Sequence, residues 1–486
     1  VPRSYAVATA HPEATAAAAE LLESGGSAVD GAIAAQAVIA VLMPHAAGIG
    51  GDVLALCRAP DGELIGVNGT GRSPRALDPH VFGTSGHRPG MSVTVPGLVA
   101  GWADLHERYG RLSLPRVLAP AIRSARDGFV VDGSLARSLA AQRDRLVATS
   151  PDGPLAALRH GDRWVQPELA ETLEQVAHHG RAALHAGDLA AAVTAAVTRA
   201  GGWLDTVDLA SHATEHAEPL RVSWDGGEVA VQPPHSQGVL LAMALAWLDR
   251  DDRWAHPRLA HLLVELTEAV FAHRDDCAAG MALLRRPLDV DLDRAARRGG
   301  PRPYLHTAGV AVATGDGDVV SSLVSVFDDF GSCVWVPEGG FVLNNRADGF
   351  TAGNNAPAPH ARPVHTLAPA MVTGAGGQVT ALATPGADGQ VQSLLQVLAS
   401  RRRDGLGLDD AIGAPRWRSH DSSLVIEPGH PDLPLLRAAG HRVVIGASGD
   451  DLFGSVVAAG VDGPEAHASA DWRRGSAAIT HHSRRP

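Results

Sequence analysis

The sequence predicts a layered α+β sandwich with hairpin-connected sheets, and three observations carry that expectation. The chain has 486 residues, 45% apolar and 19% charged, enough to bury two domains or one large layered unit and too apolar for global disorder. Strand-like runs pair across Asp-Gly turns at Asp61-Gly62, Asp225-Gly226 and Asp316-Gly317. Helix-like runs come first and last with strands between them, the order of stacked layers.

Residues 12–24 read as a helix with Pro12 near its start, where a missing N–H costs nothing, and Gly25-Gly26 stop it. Ser27 and Asp30 form a capping-box variant that opens a second helix through about Leu42. That helix is apolar on nearly every face and is expected to be buried all round. A glycine-rich loop, Gly48 to Asp52, precedes strands at 53–59 and 63–69, and residues 98–200 are mostly helical by period. A hairpin over 220–232 and helices over 238–250 and 261–276 follow. Residues 278–306 are rich in Arg, Asp, Gly and Pro, lose the core-like period and read as exposed. Strands are expected at 308–314, 318–327, 335–345, 370–376 and 378–386. Helices return at 392–403 and 408–415, and strands at 424–427, 441–445 and 453–461.

Composition narrows the chemistry. All 41 basic residues are Arg, which excludes a lysine Schiff base, a P-loop lysine and a Ser-Lys dyad. The formal charge of −12 leaves no basic excess for nucleic acid or an anionic membrane. Cys57, Cys277 and Cys333 are odd in number and lack C-x-x-C, against a disulfide framework or a zinc ribbon. No apolar run of 18 residues predicts a membrane span, and the start lacks a signal-peptide core, so a cytoplasmic location is expected.

Gly48-Ile49-Gly50-Gly51 lacks both dinucleotide and P-loop spacing and reads as a tight loop. Pro234-His235-Ser236-Gln237-Gly238 lies between a strand and a helix, as a nucleophile elbow would, but Pro234 occupies the place of a small residue, and a helix-capping loop is the plainer reading. The 24 histidines show no H-E-x-x-H and no carboxylate-backed ligand pair, and His481-His482 reads as a solvated tail. Asp316 and Asp318 lack the glutamate of an EF-hand and read as a turn. Thr307 begins a strand after the exposed segment; by itself this reflects β-propensity.

Ordered matches along the chain nevertheless carry a resemblance. They include Gly25 to Asp30, Pro44 to Gly51, Val95-Pro96-Gly97, His106 to Gly110, Leu118 to Ile122, Pro233 to Gly238, Phe330-Gly331-Ser332, Leu343-Asn344-Asn345, Thr384-Pro385-Gly386 and Ala414-Pro415-Arg416. With these the chain resembles the gamma-glutamyltranspeptidase family of N-terminal nucleophile hydrolases. The resemblance implies a four-layer αββα sandwich and a precursor that cuts itself between His306 and Thr307. The subunits would be 1–306 and 307–486 of one αββα unit, with Thr307 the nucleophile. Its new α-amine, with a reference pKa of about 7.7–8.0, would serve as base. Gly386 and Ala387 would offer oxyanion-binding N–H groups, and Ser325 would support the nucleophile.

Departures from the family bear on substrate. Thr70 stands where the family has the arginine that holds the glutamyl carboxylate, in the run Thr70-Gly71-Arg72-Ser73-Pro74. Gly349 replaces its aspartate, Phe327 its asparagine, and His365 and Thr366 its paired serines. Each missing charged hydrogen bond is worth about 1.5–3 kcal/mol, so glutamyl recognition should be lost. Arg72, Arg346 and His365 become candidate contacts for a smaller acyl group with its own carboxylate, such as oxalyl, with Asp348, Thr366, Phe327 and Thr70 alongside. The branch that fits better resembles acylases, oxamate amidohydrolase and the C–C-cleaving homologues of alkylproline pathways. The expected activity is hydrolysis of a small non-glutamyl acyl substrate, at an amide or an activated oxalyl-type C–C bond, through an acyl–Thr307 ester. The alternatives are a gamma-glutamyl hydrolase or transferase with a rebuilt clamp, and an uncleaved binding protein. No cofactor or metal is expected; a homodimer of the processed unit is left open.

Overall fold

The computed structural model describes residues 4–84, 86–296, 307–420 and 423–482. Two antiparallel sheets face each other. The first runs, edge to edge, Ala477–His482, Ser4–Thr9, Ala308–Thr314, Val319–Ser325, Asp52–Arg58, Leu64–Asn68 and Glu215–Ala217. The second runs Glu465–Ala470, Val457–Asp462, Val379–Ala383, Ala370–Thr373, Gly227–Val231 and Leu220–Trp224.

Between the sheets lies a core of small side chains, among them Ala8, Ala311, Ala313, Ala381, Ala383 and Ala459, which lets the two faces approach closely. Outside the first sheet pack the helices Pro12–Glu23, Ala28–Leu42, Leu98–Tyr109 and Leu114–Asp127. Outside the second pack Gly238–Asp249, Leu259–Phe271 and Gly389–Asp404. The layers are therefore helix, sheet, sheet, helix, the αββα sandwich. Residues on both sides of position 306 supply strands to each sheet, so they form one interlocked unit.

Local signals explain most elements. The helix Ala28–Leu42 is closed by a capping box: Ser27 Oγ accepts the Asp30 N–H at 3.1 Å, and Asp30 Oδ2 accepts the Ser27 N–H at 2.9 Å. Every residue of that helix is buried, as its all-round apolar pattern requires. The glycine-rich loop is a close backbone approach: a Cβ at Gly51 would stand 2.4 Å from the Ser325 carbonyl oxygen and one at Gly50 2.2 Å from that of Val342. Asp316 and Asp318 sit in the 314–319 hairpin turn.

Several expectations are corrected. Residues 335–345 form two two-residue strands, Trp335–Val336 and Phe341–Val342, because the chain reverses at Gly340, whose φ is +72°. His481 and His482 are exposed, as expected, but they lie in a paired edge strand, with His481 stacked on Tyr5 at 5.1 Å, and not in a loose tail. The strand Glu465–Ala470 escaped the sequence reading because its apolar residues are only alanines. The segment from 278 is mostly exposed as far as it is described; residues 297–306, including His306, lie outside the described residues. Among the described residues no helix is long and apolar enough to cross a membrane.

Candidate active site

Thr307 stands at the head of the strand Ala308–Thr314, buried between the sheets at one end of the sandwich. Its Oγ1 lies 3.5 Å from the Oγ of Ser325, the last residue of the neighbouring strand. Ser325 Oγ in turn accepts the Phe327 N–H at 2.9 Å, which fixes the serine rotamer and the turn at Phe327, where φ is +84°. Two residues beyond Thr307, Gly309 brings the strand against the second sheet: a Cβ there would lie 3.2 Å from that of Ala383, three residues before Gly386.

Gly386 (φ +117°) and Ala387 (φ +48°) form a tight turn before the helix Gly389–Asp404. Their carbonyls are fixed from outside. Arg418 donates to the Gly386 oxygen at 3.0 Å, and Gln237 Nε2 donates to the Ala387 oxygen at 2.8 Å and the Thr366 oxygen at 2.6 Å. Arg418 fits only because Gly389 has no side chain; a Cβ there would fall 1.1 Å from its NH1. Neither the Gly386 nor the Ala387 N–H is donated to another group among the described residues. Two backbone donors presented by a braced turn are suited to an oxyanion.

Behind Ser325 sits Asp52, its partner in the sheet ladder and fully buried. Arg346 Nε donates to Asp52 Oδ2 at 2.8 Å, and His365 Nε2 lies 3.5 Å from the same oxygen. Burial alone would raise the Asp52 carboxyl; the Arg346 charge and the His365 contact outweigh it and hold it below the usual carboxylate range. His365 Nδ1 accepts the Leu367 N–H at 3.1 Å, so the ring carries its proton on Nε2. Burial, then the Arg346 charge, push His365 down to about 4 against the pull of Asp52, which keeps it neutral at pH 7. The Arg346 guanidinium lies over the Phe327 ring at 4.6 Å.

The residues proposed from sequence thus divide. Thr307, Ser325, Phe327, Arg346 and His365 share one contact chain, and Gln237 ties Thr366 to Ala387 beside it. The other three are engaged elsewhere. Thr70 Oγ1 donates to Asn68 Oδ1 at 2.7 Å and braces its own loop. Arg72 pairs with Glu215 at 2.9 Å on the surface, half exposed. Asp348 accepts from Ser92 at 2.6 Å and from Asn345 at 2.9 Å. A Cβ at Gly349 would press on Pro363 at 3.3 Å and meet the Phe327 ring at 3.5 Å, an ordinary contact.

Ser236 is buried, donates to the Leu367 carbonyl at 2.6 Å and accepts the Gly238 N–H at 2.9 Å, which is the helix-capping role and not that of an elbow nucleophile. Burial pushes the Cys57 and Cys277 thiols up to about 12 and Cys333 up to about 11, so none is a ready thiolate.

Sequence reasoning missed two features. Asp52 was read only as the end of a glycine loop; an acid opening the apolar run VLALC was the signal that it must be paired inside. The structure also gathers His261, Glu265 and His441, with candidate ligand atoms within 4.8 Å of one another, a carboxylate-backed pair that the sequence reading did not find. His261 and Glu265 are one helical turn apart, but His441 is distant in sequence, and the two rings already share a hydrogen bond of 2.8 Å.

The comparisons with known proteins follow this architecture. The family model for gamma-glutamyltranspeptidase matches residues 14–481. The glutathione hydrolase-like YwrD proenzyme of Bacillus subtilis is 31% identical, over 94% of each chain. The oxamate amidohydrolase proenzyme of Klebsiella pneumoniae is 30% identical over 91% of this chain and 92% of its own. The crystal structure of cephalosporin acylase from Bacillus halodurans superposes with a TM-score of 0.85 at 28% identity, covering 98% of this chain and 96% of that one. A match that runs from the first helix to the last strand, in sequence and in fold, leaves one conclusion: this chain belongs to the gamma-glutamyltranspeptidase family.

Proposed function

We propose that this family hydrolase is a self-processing threonine-nucleophile enzyme acting on a small, non-glutamyl acyl substrate. The observation that carries the reading is the placement of Thr307, buried at a strand head beside Ser325 and on the side of the sandwich where the Gly386–Ala387 turn is braced. Attack of the Thr307 hydroxyl on the preceding carbonyl gives an ester, and water opens it to leave subunits 1–306 and 307–486. The freed α-amine then takes the proton from Thr307 Oγ1 as that oxygen attacks the substrate carbonyl. The Gly386 and Ala387 N–H groups receive the oxyanion, the leaving group departs with a proton, and water hydrolyses the acyl ester.

The non-glutamyl part rests on Phe327 and Gly349. Gly349 carries no carboxylate and Phe327 no amide, so a glutamyl ammonium has neither group to meet, and the Phe327 ring lies on the side that a Cβ at 349 would face. The names of the relatives agree in part: they are proenzymes, and one hydrolyses oxamate. Denaturing electrophoresis with N-terminal sequencing tests processing; two bands, the smaller beginning Thr-Ala-Gly, are expected. Thr307→Ala is expected to stay one chain and to lose turnover. A single stable band from wild type after incubation under maturation conditions refutes the reading. The glutathione hydrolase-like relative favours the rival glutamyl reading. Efficient, saturable release of aniline from a gamma-glutamyl anilide by the cleaved enzyme would establish it.

A further inference from the structure

Arg346 is fully buried, yet only one edge of its guanidinium is used. Nε donates to Asp52, while NH1 and NH2 have no hydrogen-bond partner among the described residues. Desolvated guanidinium donors without acceptors are expensive, and a structural arginine normally spends them on carbonyls or carboxylates. Arg416 and Arg473, also buried, do that with their terminal nitrogens. Arg346 does not, and two residues link it to the nucleophile: it lies over Phe327, whose N–H is held by Ser325, whose Oγ faces Thr307.

We infer that the free N–H edge of Arg346 is the specificity site for a substrate carboxylate, and that the acyl group is a short oxo-acid anion of the oxamate type, with its carboxylate on or next to the scissile carbonyl. This rests on the Thr307 reading above. Two constraints make the acyl group short. Asp52 pins Arg346 beside the Ser325 strand end, so the guanidinium is not free to reach a distant anion. Phe327 and Pro363 occupy the space at Gly349, which removes the room a longer head group would use. The pairing is also chemically suited: the two terminal nitrogens form the planar fork that receives a carboxylate side-on. Arg72, the other cation considered, already spends its fork on Glu215 and the His360 carbonyl.

The test compares 4-nitrooxanilate with its neutral methyl ester on processed enzyme. Wild type is expected to prefer the anion in kcat/KM by at least 10-fold and up to about 100-fold. Arg346→Gln should bring that ratio to within about threefold of unity, Arg346→Lys should restore part of it, and Arg72→Gln should keep it. Processing at Thr307 and thermal melting are scored on each preparation, and oxalate binding to the processed wild type is measured by calorimetry. No preference in wild type, a preference that survives in Arg346→Gln, or one lost in Arg72→Gln overturns the inference while leaving the Thr307 hydrolase standing. If neither probe turns over, oxalate binding that Arg346→Gln abolishes supports the inference, and absence of oxalate binding overturns it. Turnover that survives in Thr307→Ala overturns the underlying reading instead.

Discussion

Acid should loosen this fold well above the carboxylate range, because His212 and His365 are held neutral inside it. Both are buried. Burial, then the neighbouring His185 and Arg362, push His212 from 6.5 down to about 3; burial and Arg346 push His365 from 6.5 down to about 4. Between pH 6.5 and about 4 the unfolded chain binds these two protons and the folded one does not. Stability therefore falls as pH falls, by about 1.4 kcal/mol per pH unit for each histidine, or roughly 2.7 kcal/mol per unit for the pair. Asp52 is also shifted down, but there the charged form is the one favoured: its contribution is present above the ordinary carboxylate value and is lost only as pH drops through its depressed folded value, below this window. Urea unfolding followed by tryptophan fluorescence at pH 7.5, 6.5, 5.5 and 4.5 measures the slope. His365→Gln, which keeps a donor toward Asp52 but cannot titrate, should remove about 1.4 kcal/mol per unit of it. A midpoint that stays flat from pH 7.5 to 5, or an unchanged slope in His365→Gln, refutes the reasoning.

Three further outcomes are expected. Gln237→Leu removes the side-chain donor to the Thr366 carbonyl and one of the two donors to the Ala387 carbonyl, which keeps the Gln390 N–H; it should destabilise by about 1–3 kcal/mol in total and, by loosening the turn at Gly386 and Ala387, lower kcat about 100-fold with little change in KM. Ser236→Ala removes a buried cap and should cost about 1–2 kcal/mol in denaturant unfolding while most activity remains; a dead but folded variant would make Ser236 the nucleophile. Gly349→Asp sets a side chain against Pro363 and beside Phe327, and should destabilise by about 1–3 kcal/mol without conferring turnover of a gamma-glutamyl anilide; because the tight contact is Pro363, adding Phe327→Asn should recover little of that stability.

Much of the fold was legible because it is local. The capping box at Ser27 and Asp30, the Asp-Gly hairpins and the all-apolar helix to Leu42 each contain their own instruction. What was not legible depends on distance. The strand Glu465–Ala470 is marked only by alanines, which the tight inter-sheet layer selects but no period reveals. At the site, Thr307, Ser325, Gly386 and Ala387 could be nominated only through the family resemblance, since a threonine opening a strand is ordinary. The pairing of Asp52 with Arg346 spans 294 residues, and nothing near Arg346 in sequence says that one of its edges is tied and the other free.

On the proposed reading, the place of Thr307 at the head of its strand accounts for how a cut before it would be tolerated. Residues 308–314 are hydrogen-bonded on one side to Ser4–Thr9 and on the other to Val319–Ser325, and their inner face packs on the second sheet. A strand clamped on two edges and one face would keep its place when the peptide bond before Thr307 is opened, because the ladder that holds it begins at Ala308. The proposed cut would instead supply what a threonine hydroxyl lacks, an amine on the same residue close enough to take its proton. On the proposed reading Thr307 becomes the first residue of the finished site, with Ser325 and the Gly386 turn held by contacts from Arg418 and Gln237 that lie away from the cut.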